Sequence, residues 1–203
     1  MRYAGQESWQ IREDRWIQHF EWALWVRAAE RIAAPAGGIV PGPLLIDPLP
    51  EPSPGLDLAA LSGQWLAWWR VLCDLPEWSP SDEGSPPLFA HSGPDFDGLD
   101  GQPLLRDVLR RRWLEAHHWH SERKHAGVAD RTFAHGPRAS TVVAEVERVN
   151  GRAARPFVLT IDVLPVDDRE IRAISETRFL VPEGVRDGAE WAQVLRGLVE
   201  PLA

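Results

Sequence analysis

Cysteine is almost missing: Cys73 is the only one in 203 residues. A disulfide framework within the chain is therefore excluded, and a cytoplasmic setting is the expected one. Lysine is as scarce, with Lys124 alone among the basic residues and arginine supplying the rest. That bias is what a GC-rich coding sequence, such as an actinobacterium's, produces without any demand for guanidinium chemistry, although arginine is also the better bidentate partner. Long apolar runs are absent too. The richest stretch, residues 58–75, is broken by Arg70 and Asp74 and built on tryptophan, so no membrane span is expected. Behind Met1 come Arg2, Tyr3 and a charged segment over 7–15, where a signal peptide would place its apolar core. The chain contains no nucleophile elbow, Walker loop or dinucleotide fingerprint.

What is present is acid, tryptophan and two hydrophobic rhythms. A formal net charge of −8 repels a phosphate backbone and argues against nucleic acid as a partner. Hydrophobic residues make up 44% of the chain, enough to bury a core without covalent staples. The expectation is one α+β domain over residues 1–203: a Trp-rich helical portion over about 8–126, a three-stranded antiparallel meander over about 140–181, and a short helix over about 189–202 packed on the sheet.

Over residues 8–34 apolar side chains recur every three or four positions, from Trp9 through Trp16, Phe20 and Leu24 to Ile32. This predicts a long first helix, capped by Ser8 and stopped near Gly37 and Gly38. Residues 35–54 are rich in proline yet too apolar for a solvated linker, so a connector packed against the body is expected. Leu58, Leu61, Trp65, Trp68, Trp69 and Leu72 mark a second helix from Asp57 to Leu75, ended by Pro76. Residues 76–103 form a long irregular stretch, of the kind that is often functional. Pro103 opens a third helix, expected to run to Ala126 with Gly127 as its stop. Beyond residue 140 the period changes to two: Val142, Ala144 and Val146, then Phe157, Leu159, Ile161 and Val163, predict strands with turns at Asn150-Gly151 and Asp167-Asp168, before a last strand over 171–181.

Four groups of residues could carry function. His118, Glu122 and His125 fall at i, i+4 and i+7 of the third helix and share a face, an acceptable nitrogen and oxygen shell for zinc, although HExxH is not present. A polar helix end explains the same residues with fewer assumptions. His117 and His120 lie nearer the apolar face, at the boundary between core and solvent. Asp95, Asp97 and Asp100 resemble a calcium loop, but its register puts Arg106 where the closing glutamate is needed. Finally, 11 tryptophans exceed what one helical stripe can hold. Trp22 and Trp25 widen the first helix's apolar surface, leaving a second face to be covered by the connector, by an oligomer or by a ligand. The arginines at 106, 110, 111, 112 and 123 read as a solvated face paired with nearby acids.

These features point to a non-enzymatic cytoplasmic binding or accessory protein that engages a protein partner, or a second copy of itself, through its Trp-rich helices or the 76–103 loop. Trp22, Trp25, Trp68, Trp69, His117 and His120 are the candidate contact residues. Two alternatives stand beside it: a metal- or His-dependent hydrolase using His118, Glu122 and His125, and a small-molecule binder with a Trp-lined cleft.

Overall fold

The computed structural model describes residues 9–75, 93–129 and 139–203. It is a mixed α/β structure. In chain order come β1 (Gln10–Asp14), α1 (Gln18–Ala29), α2 (Leu58–Asp74), a single 3-10 turn (Asp97–Leu99), α3 (Pro103–Ala129), α4 (Ala139–Asn150), β2 (Val158–Leu164), β3 (Arg172–Ala173), β4 (Arg178–Pro182), α5 (Glu183–Arg186) and α6 (Trp191–Val199). The strands form one sheet in the order β1-β2-β4-β3. β1, β2 and β4 are mutually parallel, with Ile11 opposite Leu159 and Asp162 opposite Leu180, and only the two-residue β3 runs antiparallel.

Side-chain alternation along β2 and β4 explains the layering. Leu159, Ile161, Val163 and Val181 face a cluster made with Val142, Val143 and Val146 of α4 and Trp191, Leu195 and Val199 of α6. Leu164 and Leu180, on the opposite face, join the larger cluster built by α1, α2 and α3. The sheet is thus covered on both sides, as a parallel sheet requires. Its second face is not wholly apolar: Asp162 accepts from Arg178 Nε at 2.7 Å, and Arg178 also donates to the carbonyls of Cys73 and Leu75 at the end of α2.

This arrangement overturns the antiparallel meander. Residues 142–147 are helical, because Val142, Val143 and Val146 satisfy a helical stripe as well as an alternating one, and packing on α6 favours the helix over β-branched propensity. Asn150-Gly151 is then a helix end rather than a hairpin; Gly151, at φ +66°, adopts the left-handed conformation that helix stops prefer. The expected strand over 171–181 is divided by a turn in which Ile174 N–H donates to the Arg178 carbonyl at 2.8 Å. That turn sends β4 back alongside β2 in the same direction.

The first helix is also shorter than its periodicity predicts. Ser8 lies outside the described residues, and Gln10–Asp14 pairs with β2 instead of coiling. Asp14 then accepts from the Trp16 amide at 3.0 Å, a local side-chain turn that ends the strand. At the other end Arg31 takes φ +55°, and the amides of Arg31 and Ile32 donate to the carbonyls of Ala28 and Arg27, the Schellman closure. The helix therefore stops well before Gly37. In contrast, α2 begins where the sequence says: Asp57 accepts from the amides of Ala59 and Ala60 at 3.1 and 3.0 Å. Asp57→Ala is expected to cost about 1 kcal/mol, read as a lower urea midpoint at unchanged slope. Pro103 opens α3 as expected, but Gly127 is inside that helix, which continues to Ala129.

Helix α1 is buried almost all round, including Phe20, Trp22, Leu24, Trp25 and Val26. Its second aromatic face is covered from within the chain. Trp22 meets Phe96, Trp113 and His117 edge-on at 6.2, 6.4 and 6.0 Å, and the Arg112 guanidinium lies 5.4 Å over the Trp25 ring. Cover comes from α3 and the turn before it, an arrangement that the long first helix did not anticipate. Residues 35–54 pack as a connector, with the Trp69 indole donating to the Ile39 carbonyl at 2.9 Å. They also reach the sheet, through a bridge between Leu44 and Val166.

Candidate functional site

Because β1, β2 and β4 are parallel, their carboxyl ends share one edge of the sheet. In open α/β folds this edge is where loops converge and ligands bind. Two groups of side chains gather there.

The first is an ionic network. Arg15, next after β1 and only 7% exposed, donates to Asp187 at 3.0 and 2.5 Å and lies 3.3 Å from Glu13 and 3.7 Å from Glu183. Burial alone would lower its pKa, but Asp187, Glu13 and Glu183 outweigh burial and raise it. Arg123, from α3, clasps Glu183 at 2.9 and 3.0 Å and reaches Glu21 of α1 at 2.5 Å. Glu21 is fully buried, and its other oxygen sits 2.6 Å from His120 Nδ1. Arg186 closes the far side on Glu13 at 2.8 Å and over the Trp191 ring. Acids and bases here neutralise one another, so the network ties α1 and α3 to the segment after β4.

The second group lines a cleft of about 630 Å³. One wall is Leu45, placed by the bonds of Leu45 N–H to the Pro165 carbonyl and Asp167 N–H to the Pro43 carbonyl, each 2.8 Å. The connector approaches so closely that a Cβ on Gly42 would stand 2.5 Å from the Asp167 carbonyl, so only glycine fits. The rest of the lining comes from two segments: Val166, Asp167, Asp168, Arg169 and Ile171, soon after β2, and Gly184, Val185, Gly188, Ala189, Glu190 and Val194, after β4.

Asp168 is structural. It accepts from the amides of Gly42, Arg169 and Glu170 and pairs with Arg172 at 2.7 Å. Burial pushes its pKa up, but those amides and the Arg172 charge more than reverse the effect and leave it lowered. Asp167, Arg169 and Glu190 are different: all three are exposed at the cleft, and none has an ion-pair partner among the described residues. A second cleft, about 670 Å³ between α4 and α6, is lined by Glu145 and Arg196, which pair with each other.

The residues singled out from sequence are dispersed. Trp22, Trp25, Trp68 and Trp69 are buried in the core, at 3, 2, 0 and 0% exposure, and their rings are not available to a partner in this conformation. His120 is buried on Glu21, while half-buried His117 sits 3.3 Å from Gln18 and 5.6 Å from the Trp113 ring. His118 and Glu122 face each other at 3.4 Å on an exposed stretch of α3. No grouping of three metal-ligating side chains occurs among the described residues, so His125 does not complete a shell with them. Asp97 and Asp100 pair with Arg106, each at 2.5 Å. Residues 76–92 of the long loop lie outside the described residues. Cys73 is buried, and burial pushes its thiol up to about 12, which keeps it protonated near neutrality.

The cleft residues escaped sequence reasoning because Leu45, Asp167 and Glu190 share no motif. The only signal was the Asp167-Asp168 turn, read for its geometry and not for the carboxylate left over.

Fold and site together define a mixed α/β protein with a parallel core and a cleft at its carboxyl edge. No helix among the described residues is long and apolar enough to cross a membrane. No family model matches the chain, and no curated protein or solved structure matches it at a significant level.

Proposed function

We propose that this is a non-enzymatic binding protein that takes a small ligand into the cleft between Leu45, Asp167 and Glu190. One observation carries the reading: an amphipathic cleft opens beyond the carboxyl ends of β2 and β4, rimmed by charged side chains not used by the fold. Its volume suits a small molecule. Engagement of a protein through Trp22, Trp25, Trp68 and Trp69 loses its support with the burial of those rings. A Trp-lined pocket loses it for the same reason, and the cleft is aliphatic instead. A cytoplasmic setting belongs to this proposal, supported by the lone, buried Cys73.

Gly184 provides the test. It lines the cleft, and a Cβ added there meets nothing within 4 Å, so the side chain of Gly184→Leu starts from open space at the cleft and adds volume to its lining. In ligand-detected NMR against a mixed panel of small amines, acids and alcohols, binders of the wild type are expected to lose at least tenfold in affinity with Gly184→Leu. Binding that ignores this substitution, or a panel with no binder, would refute the reading.

A further inference from the structure

The rim of the cleft specifies more than size. Asp168 is neutralised by Arg172, and the remaining charged groups are two carboxylates, Asp167 and Glu190, against one guanidinium, Arg169. The rest of the lining is aliphatic, with Val166, Ile171 and Val194 among its members. Resting on the binding function proposed above, we infer that the ligand is an amphipathic primary amine, with an ammonium group set between Asp167 and Glu190 and an aliphatic body on the valine and isoleucine side chains.

Three physical arguments support this class. A carboxylate without a fixed cation is fully hydrated, and an ammonium head can join that hydration shell or replace part of it at little desolvation cost at an open rim. The aliphatic body releases water from both surfaces as it enters, which is where most of the affinity of a small ligand arises. The chain's net charge of −8 adds a long-range field that concentrates cations and depletes anions near the surface. An acid of the same shape would meet that field and both carboxylates with only Arg169 to offset them.

Hexylammonium, 1-hexanol and hexanoate make the comparison, because they share a body and differ in the head. Binding is followed through the glycine amides of Gly184 and Gly188 in proton–nitrogen correlation spectra. At low salt the amine is expected to bind about tenfold tighter than the alcohol, roughly threefold from each exposed carboxylate, with the acid weakest. Half-molar salt should shrink the amine's advantage and leave the alcohol unchanged. The double variant Asp167→Asn, Glu190→Gln should make amine and alcohol equal while the alcohol still binds, an outcome that a loss of folding would not produce.

The two proposals fail separately. Equal binding of all three probes, abolished by Gly184→Leu, would leave the cleft as the binding site and overturn the amine class; tighter binding of hexanoate would do the same. Absence of binding by every probe, or binding that survives Gly184→Leu, would overturn both.

Discussion

Glu21→Ala is expected to lower the stability of the folded protein by about 3–5 kcal/mol, the range found when one partner of a buried ion pair is removed. Glu21 has no solvent exposure, and its two oxygens are shared between His120 Nδ1 at 2.6 Å and Arg123 Nη1 at 2.5 Å. Truncation leaves a buried imidazole without its acceptor and a guanidinium with half of its charge compensation. Arg123 keeps Glu183, at 2.9 and 3.0 Å, so the loss belongs nearer the lower figure than the upper one. Glu21→Gln retains an acceptor and the packing volume, and should cost less than the alanine change. Urea denaturation reads both, and a double-mutant cycle with Arg123→Ala isolates the coupling between the two residues. A loss under about 1 kcal/mol for Glu21→Ala would show that the network is solvated and does not clamp the helices to the sheet.

The second large effect lies in the aromatic core. Trp65→Ala should cost about 3–5 kcal/mol, as deletion of a fully buried aromatic side chain does. Trp65 stacks on Trp69 at 5.3 Å with ring planes 12° apart, and its indole N–H donates to the Ala23 carbonyl at 2.8 Å. The substitution removes that donor from a buried carbonyl of α1 as well as opening a cavity between α1 and α2. Leu114→Ala is the internal control: Leu114 is 64% exposed, and its loss should stay within about 0.5 kcal/mol. Comparable destabilisation by the two substitutions, measured as urea midpoints, would place the folding core somewhere other than beneath α2.

Some elements could be read from sequence because their signals were local and unambiguous. Asp57 caps α2 and Pro103 opens α3 because a side-chain acceptor and a fixed φ act within a single turn of chain. Val142, Val143 and Val146 were misread because the same residues satisfy both periods; contact with α6, more than 40 residues away in sequence, decides between them. β1 was lost inside a helical pattern for a related reason. Its five residues are held by pairing with β2, and nothing in their own composition announces it.

The candidate site was less legible still. Histidine and tryptophan carry the strongest chemical signals in the sequence, yet His120 is held on Glu21 by a contact spanning 99 residues, and Trp22, Trp25, Trp65, Trp68 and Trp69 are buried in the core. The cleft depends on a glycine at 42 that lets the connector touch the loop after β2, and on a β4 that runs parallel to β2.

Composition and local pattern alone determined that the chain would be acidic, free of internal disulfides and mixed in secondary structure, with α2 and α3 in place, because each of these depends on counts or on neighbours within a few residues. Strand direction, the helical state of residues 139–150 and the convergence of Leu45, Asp167 and Glu190 were decided only by tertiary packing. Hydrophobic spacing states which side of an element is buried, whereas the partner that buries it is chosen by the free energy of the whole assembled core.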